Sequence, residues 1–254
     1  MKVRIKSWQS SILVITVVMA LTVPSRMALA DEINPGAFAI DSQPYGLTYG
    51  QWSERWWQWA FMQTTFDNCP NESGPVWFLT WPTQSSCTIP ANTALMLPTF
   101  DVEWSVIEAN IQGSQPGTNG TCFVPTHPNG TSYAALLVCA RTQANNATRP
   151  GAMLKAEVDE RILQSLTDYR AHSEPPPFTF TAASGNLFGL PPGSTQSVAD
   201  GFWIILQPLS AGKHALDFAA TVAFPNVNPP AKPFTFTVEA SYCLIVQPSN
   251  QTCS

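Results

Sequence analysis

The most regular hydrophobic pattern in the chain lies in the segment YGLTYGQWSERWWQWAFM, residues 45–62. The aromatic residues that recur there every three or four positions are Tyr49, Trp52, Trp56 and Trp59. This spacing predicts an α-helix with one aromatic face. At about 100° per residue, Trp57 and Phe61 widen that face to roughly 200°, so we expect the helix to be mostly buried. The residues left for its polar side are Glu54, Arg55 and Gln58.

The start of this helix is marked by Thr48, which is followed three residues later by Gln51. At this spacing the two residues form a capping box, in which each side chain bonds the backbone amide of the other. Each buried indole removes about 200 Å² from water and needs an acceptor for its N–H group. We therefore expect the helix to form the inner wall of a core.

Apolar and polar residues alternate strictly over residues 99–107. The apolar positions are Phe100, Val102, Trp104 and Val106, and the polar ones are Asp101, Glu103 and Ser105. A period of two places the two sets on opposite faces of a β-strand. We expect this strand to be half-buried, with Asp101 and Glu103 about 6–7 Å apart at the backbone on its solvated face.

The last third of the chain carries the clearest strand signals. Short alternating or apolar runs occupy residues 178–181, 202–206, 214–218 and 234–239, and turns rich in Pro and Gly separate them. Strands at this spacing predict a sandwich rather than a parallel sheet. The second of these runs is apolar on both faces, so it is expected in the centre of its sheet. The predicted fold is mainly β, an antiparallel β-sandwich with the N-terminal Trp-rich helix packed against it.

The middle of the chain is less regular. Residues 76–81 have the composition of a buried strand, and residues 87–92 have that of a turn leading into a short apolar run at 94–97. A long loop rich in Gly, Asn, Pro and Thr covers residues 112–131, and a further apolar run follows at 133–140.

The N-terminus has the features of a secretory signal. The basic residues Lys2, Arg4 and Lys6 precede an apolar run at residues 12–23, and Ala-Leu-Ala at 28–30 supplies the small residues that a signal peptidase recognises. We therefore predict a signal peptide over residues 1–30 and no transmembrane segment after its cleavage, because the apolar run is short. The expected location is secreted or periplasmic.

The remaining residues, 31–254, are expected to form a single β-rich domain. Removal of the signal takes away four basic and no acidic residues, which changes the net charge from −5 to −9. A chain this acidic argues against nucleic acid as a partner. Only 11% of the residues are charged and 23 are proline, which favours strands and loops over long solvated helices.

Six cysteines follow the predicted signal: Cys69, Cys87, Cys122, Cys139, Cys243 and Cys253. In an oxidising compartment an even number of cysteines indicates disulfides. Their clustering along the chain favours pairing of the first with the second, the third with the fourth and the fifth with the sixth. A zinc site is the alternative, but the chain has no CxxC pair and its histidines are scattered.

Five segments resemble one family. They are YGxxYxxWxxxWWQW from residue 45, GPVWFL from 74, CTIPAxxAL from 87, DGFW from 200 and PLSAGKH from 208. Together they resemble a family of exported bacterial and archaeal proteins of unknown function. The resemblance spans most of the chain after residue 30 and implies export and a shared fold, but no reaction.

Residues 153–169 fit two structures. Leu154, Val158 and Ile162 belong to a stripe with helical spacing. The family resemblance instead implies two strands joined by a turn at Asp159 and Glu160, and we favour this hairpin.

Two groups of polar residues are candidates for chemistry. Asp101 and Glu103 form a pair of carboxylates that could bind Ca²⁺ or act as the acid and base of a glycosidase; the alternative is the solvated face of an outer strand. His214 shares a strand face with Leu216, and if it lies beside Asp200 it could act as a general base. A histidine hydrogen-bonded to backbone is the more common outcome.

The aromatic residues outside the main stripe suggest a different chemistry, because an exposed indole can stack on a sugar ring. The candidates for binding are Trp57, Trp77, Trp81 and Trp104. The alternative is that all four belong to the core.

No GxSxG, HExxH, P-loop or GxGxxG motif is present, and no cofactor is predicted. We interpret the chain as a secreted or periplasmic, non-catalytic β-sandwich protein that binds a ligand such as a carbohydrate or is associated with the cell surface. One alternative is a glycan-acting hydrolase with Asp101 and Glu103, or Glu54, as its carboxylates. Another is a purely structural component of the cell envelope.

Overall fold

A computed structural model describes residues 34, 36–65, 69, 74–81, 85–111, 132–224 and 233–253. These residues are mainly β. The helices are α1 (Tyr49–Ala60), α2 (Val106–Ile111) and α3 (Tyr133–Ala144), with 3₁₀ turns at Pro44–Gly46, Asn145–Thr148 and Leu166–Asp168. The strands are β1 (Val76–Phe78), β2 (Ser85–Ile89), β3 (Ala94–Ser105), β4 (Met153–Val158), β5 (Arg161–Ile162), β6 (Arg170–His172), β7 (Phe178–Ala182), β8 (Gly193–Leu206), β9 (Gly212–Phe224) and β10 (Phe234–Val246). The predicted signal peptide lies outside the described residues.

The strands form two mixed sheets. The first has the order β1-β3-β8-β6, with β7 also paired to β8, and the second has the order β2-β10-β9-β4-β5. Each sheet contains one parallel pair, β1 with β3 and β2 with β10, and its other pairs are antiparallel. The prediction of purely antiparallel sheets is therefore wrong at these two pairs. Between β1 and β3 the chain forms β2 in the second sheet. This segment is the crossover connection that the parallel pair of β1 and β3 requires.

Helix α1 confirms the prediction made from its spacing. Thr48 is its N-cap, and the Thr48 and Gln51 side chains each accept a hydrogen bond from the other residue's backbone amide, at 3.1 Å. Trp52, Trp56 and Trp59 are 3%, 0% and 9% exposed, which rules out a surface stacking platform. The more accessible residues are Gln51, Glu54, Arg55 and Gln58.

Trp56 lies in a hydrophobic core formed by residues of α1 and of both sheets. Its ring is 5.0–5.9 Å from four other indole rings, those of Trp57, Trp59, Trp81 and Trp203. Its Nε1 donates to the carbonyl oxygen of Leu79 at 2.9 Å. A second cluster packs α3 against β3, β8 and β9. The run at 202–206 lies in β8, which pairs with β3, β6 and β7, so its predicted central position is confirmed.

Strand β3 differs from the expected half-buried strand. It runs from Ala94 to Ser105 with an irregularity between Pro98 and Phe100, and both of its faces are largely covered. Glu103 is 6% exposed and Ser105 is 0% exposed, so the expectation of a solvated polar face is wrong. Alternation correctly gives the two faces of a strand, but what covers each face depends on distant parts of the chain.

Two boundaries also depart from expectation. Val106 begins α2 instead of continuing the strand, because Ser105 and Glu108 form a capping box: Ser105 N donates to Glu108 Oε2 at 2.8 Å, and Glu108 N donates to Ser105 Oγ at 3.3 Å. Cys87, expected in a turn, is in the middle of β2, where pairing with β10 holds the backbone extended.

Residues 153–162 form the favoured hairpin rather than a helix. β4 and β5 are joined by Asp159 and Glu160, whose φ angles are +50° and +65°. Positive φ at both central residues is the geometry that a two-residue hairpin turn needs. The turn is fastened by Asp159, whose carboxylate accepts hydrogen bonds from Ala215 N at 2.9 Å and from His214 Nδ1 at 2.7 Å.

Two of the three predicted disulfides are present. Cys69 is bonded to Cys87, and Cys243 is bonded to Cys253. Cys139 is buried in α3, and its predicted partner Cys122 lies outside the described residues. The two bonds are compatible with an extracellular or periplasmic location.

Candidate functional site

The candidate site is a pocket of about 490 Å³ beside the middle of β3. Its lining is mostly aromatic and aliphatic, with three carboxyl groups and one amide. The lining residues are Trp57, Phe61, Trp81, Phe100, Asp101, Val102, Glu103, Glu108, Gln143, Leu187, Phe188, Phe224, Phe234, Phe236 and Val238. No basic residue occurs among these described lining residues.

The pocket forms where β3 has a free edge. β1 pairs with β3 only at residues 94–96, whereas β8 pairs with β3 along its length. On the β1 side, residues 100–103 thus have no strand partner in the part of the chain that the structure describes. Side chains from distant elements surround this edge and leave a cavity between them.

Aromatic rings form two walls. On the α1 side, Phe61 stacks on Phe180 with ring centroids 3.8 Å apart, and Phe188 lies 4.8 Å from Phe61. On the side of the second sheet, Phe224 stacks on Phe234 at 4.8 Å. Phe236 lies 6.0 Å from Phe100. Phe234 and Phe236 are 43% and 38% exposed, so they form the accessible rim.

Asp101 is the unusual polar residue of the pocket. Both of its carboxylate oxygens are buried, and neither has a hydrogen-bond partner among the described residues. Burial raises the pKa of Asp101 well above its ordinary value, and its own backbone amide, which does not reach hydrogen-bond geometry with either oxygen, opposes this shift only weakly. A buried carboxyl group without partners is costly, so its neutral form is favoured.

The backbone beside Asp101 is tightly packed. Asp101 lies opposite Gly201 of β8. A Cβ atom at residue 201 would be 2.6 Å from Asp101 Cα and 2.8 Å from the Phe100 carbonyl oxygen. Since both are backbone atoms that cannot turn aside, the register that positions Asp101 depends on a glycine here.

Glu103 and Glu108 form a second acidic unit. Their carboxyl groups are hydrogen-bonded to each other, Ser197 Oγ donates to Glu103 Oε1, and Ser105 Oγ donates to Glu108 Oε2 at 2.9 Å. Burial is the largest cause that raises the pKa of both, and the charge of Glu108 raises the pKa of Glu103 further. The hydrogen bond between them raises the pKa of Glu103 and lowers that of Glu108, so a proton shared by the pair is favoured on Glu103.

The four tryptophans proposed for binding separate into two groups. Trp57 and Trp81 line the pocket, whereas Trp77 and Trp104 are 4% and 1% exposed and belong to the two cores. Trp81 Nε1 donates to the carbonyl oxygen of Pro98 at 2.9 Å. Trp57 is 5% exposed, and its Nε1 has no partner among the described residues.

The other carboxylates named from the sequence have structural partners outside this pocket. Asp200 is fully buried and accepts hydrogen bonds from Arg170 Nε at 2.7 Å and Arg170 Nη2 at 3.0 Å, with Arg141 Nε 3.5 Å away. Glu54 Oε1 accepts from Glu174 N at 2.8 Å, and burial raises the pKa of Glu54. Both carboxylates thus join elements together.

His214 does not meet Asp200. His214 is in β9 of the second sheet, where its ring is bonded to Asp159 and to the carbonyl oxygen of Ser210 at 2.9 Å. Asp200 is in β8 of the first sheet. The structure therefore does not form the proposed pair.

Glu108 and the phenylalanines of the second sheet were not predicted as site residues. The sequence Ser105-Val-Ile-Glu108 carried a signal for Glu108, since a capping box positions that side chain beside the end of β3. Phe224, Phe234 and Phe236 carried none, because their approach to Phe100 depends on how the two sheets meet.

In the described parts of the chain, no three His, Cys, Asp or Glu side chains are grouped so that they could hold a metal ion. Nor does any helix within those ranges have the length and apolar character to cross a membrane. Comparison with known proteins found no match among protein-family models, curated proteins or solved structures.

Proposed function

We propose that this protein is exported and non-catalytic, that its two sheets form a β-sandwich, and that it binds a small ligand in the pocket beside Asp101. The observation that carries the proposal is the Asp101 carboxyl group, whose two oxygens are buried without described partners beside a cavity lined mostly by aromatic and aliphatic residues. Ligand sites are typically apolar concavities with a few unsatisfied polar groups. The volume of about 490 Å³ falls in the range of small-molecule sites.

The sandwich and the export rest on separate support. Residues of both sheets occur in the same buried cluster, and Tyr242 of β10 accepts a hydrogen bond from Thr80 N, which follows β1, at 3.1 Å. The two disulfides and the basic, apolar N-terminus favour an oxidising compartment outside the cytoplasm.

Binding is favoured over glycan hydrolysis because of protonation. A glycosidase needs one ionised carboxylate beside one protonated carboxyl group. Burial raises the pKa of both Asp101 and Glu103 well above their ordinary values, so the ionised form is disfavoured in both members of this pair. Glu103 and Glu108 are hydrogen-bonded to each other, which is closer than the separation of about 5–9.5 Å that glycosidases use.

One observation still supports the hydrolase as a second candidate: Asp101 and Glu103 lie in a concave pocket that Trp57 and Trp81 help to line. Assays of the purified, oxidised protein on peptidoglycan and on aryl glycosides test it. Turnover that is lost in Glu103→Gln would favour the hydrolase over the binding protein.

The binding proposal is tested with a neutral apolar dye, N-phenyl-1-naphthylamine, whose fluorescence rises in an apolar site. We expect one dye per protein molecule and loss of binding in Val238→Trp, because Val238 lines the pocket and an indole would fill it. The matched control is Thr237→Trp, since Thr237 is the exposed neighbour on the opposite face of β10. Equal dye binding by both variants, or none by the wild type, would contradict a ligand pocket here.

A further inference from the structure

The ionisable groups in the described lining of the pocket are all acids. Its described lining has three carboxyl groups, on Asp101, Glu103 and Glu108, and no basic side chain. An anionic ligand would have to displace water from these acids without gaining an opposite charge. Charge complementarity therefore favours a cation.

The rings favour the same ligand class. Eight of the lining residues are aromatic. The face of an aromatic ring attracts an organic cation, and this attraction strengthens when water is excluded. A neutral sugar would also stack on these rings, but its several hydroxyl groups need several polar partners. Glu103 and Glu108 are already bonded to each other and to serines, so few such partners remain.

Asp101 indicates where the charged group of a cationic ligand would lie. Asp101 lines the pocket and its two oxygens are buried and unpartnered, so an ammonium group that reaches them would be the missing partner of an ionised carboxylate. Trp57, which also lines the pocket, is a second buried side chain whose polar atom has no described partner. These features are independent of the acidic composition of the pocket.

We propose that the pocket binds a small organic ammonium ion with an apolar body, whose charged group lies against Asp101 and whose body lies between the aromatic walls. This inference rests on the proposed function, since it names the ligand class of the same site.

Binding of such a cation has a proton signature. An ammonium group beside Asp101 favours the ionised carboxylate, so the proton that Asp101 holds in the empty pocket is released to solvent. The other titratable groups of the described lining are Glu103 on the same strand and Glu108 on α2, while the lining residues of α1, β9 and β10 have no charged side chains. Release of about one proton per bound cation is expected.

The test compares benzylammonium with ethylbenzene, its uncharged isostere, by isothermal titration calorimetry of the full oxidised protein. We expect the cation to bind at least about tenfold more tightly than the isostere. Its binding enthalpy should also change between buffers of different ionisation enthalpy, because a proton is released. Asp101→Asn should remove both the preference and the proton release. The exposed residue Asp168 provides the matched control, Asp168→Asn, which should leave both unchanged.

Phe236→Leu is a second variant that keeps the rim apolar but removes a ring, and it should weaken binding of the cation more than binding of the isostere. Phe236→Leu replaces Asp101→Asn as the test variant if the near-ultraviolet circular dichroism of the tryptophans shows that Asp101→Asn does not fold. Equal affinity for the cation and the isostere would overturn the cationic ligand and leave a ligand pocket intact. Failure of both compounds and of the neutral dye would overturn the pocket function itself.

Discussion

Substitution of Asp101 by Asn should make the protein more stable at neutral pH. Burial raises the pKa of Asp101 above its ordinary value of 3.8, so the folded protein keeps a proton that the unfolded chain gives up. The stability linked to this proton is complete below the unfolded-state pKa and is lost as the pH rises toward the folded-state pKa. Asn is neutral throughout and nearly the same size, so the variant does not lose it.

The size of the effect follows from one proton. Within the window between the two pKa values, the wild type loses up to about 1.4 kcal/mol of unfolding free energy per pH unit relative to Asp101→Asn. Two pH units inside that window therefore separate the two proteins by about 2.7 kcal/mol. Glu103 and Glu108, the other acids of the pocket, are present in both proteins, so the comparison isolates Asp101.

The measurement is urea unfolding followed by tryptophan fluorescence, at intervals between about pH 4 and pH 8, with the disulfides intact. The control is Asp168→Asn, which changes an exposed carboxylate and should give a curve parallel to that of the wild type. If the curves for the wild type and Asp101→Asn are also parallel, Asp101 is ionised in the folded protein. The account of the buried, partnerless carboxyl group would then be wrong.

Three further substitutions test the fold around the site. Glu160→Gly should raise the free energy of unfolding by about 0.5–1 kcal/mol in thermal unfolding. The strain of a positive φ angle at a non-glycine residue is removed, and this gain is larger than the cost of ordering the more flexible glycine. The control Glu239→Gly, at an exposed position in β10, should lower the free energy of unfolding. Arg170→Met should lower the free energy of unfolding by about 3–5 kcal/mol in urea, because it removes the two hydrogen bonds from Arg170 to the buried Asp200 carboxylate. Adding Asp200→Leu should restore most of this free energy, because the buried charge is then gone. A double variant that is no more stable than Arg170→Met would contradict this. Gly201→Ala should lower the free energy of unfolding by about 1–3 kcal/mol and abolish dye binding, because the added Cβ atom would collide with the backbone of β3. An unchanged melting temperature would show that the register between β3 and β8 does not depend on this glycine.

Features encoded by neighbouring residues could be predicted from the sequence. The capping box and spacing around Thr48 define α1, and the apolar run within β8 indicates a strand that is covered on both faces. The hairpin at Asp159 and Glu160 was favoured by resemblance and has the positive φ angles of a two-residue turn. Each of these signals lies within a few residues of the structure that it specifies.

Features that depend on contacts between distant parts of the chain could not be predicted from the sequence. Alternation correctly placed Asp101 and Glu103 on one face of β3, but it gave no information on what covers that face. The covering residues include Trp57 of α1 and Phe61, which directly follows α1, roughly forty positions earlier in the chain. Glu108 was missed because alternation was extended past Ser105, where the capping box starts a helix.

The indole cluster around Trp56 has an optical consequence. Its ring lies at 63–89° to four other indoles that are only 5.0–5.9 Å away. Chromophores this close and this inclined couple their excited states, so the folded protein should show a paired positive and negative exciton band in circular dichroism. Because Trp203 belongs to β8 and Trp56 to α1, the band reports whether the helix is seated on the first sheet. The protein thus carries a label-free optical reporter of its own assembly.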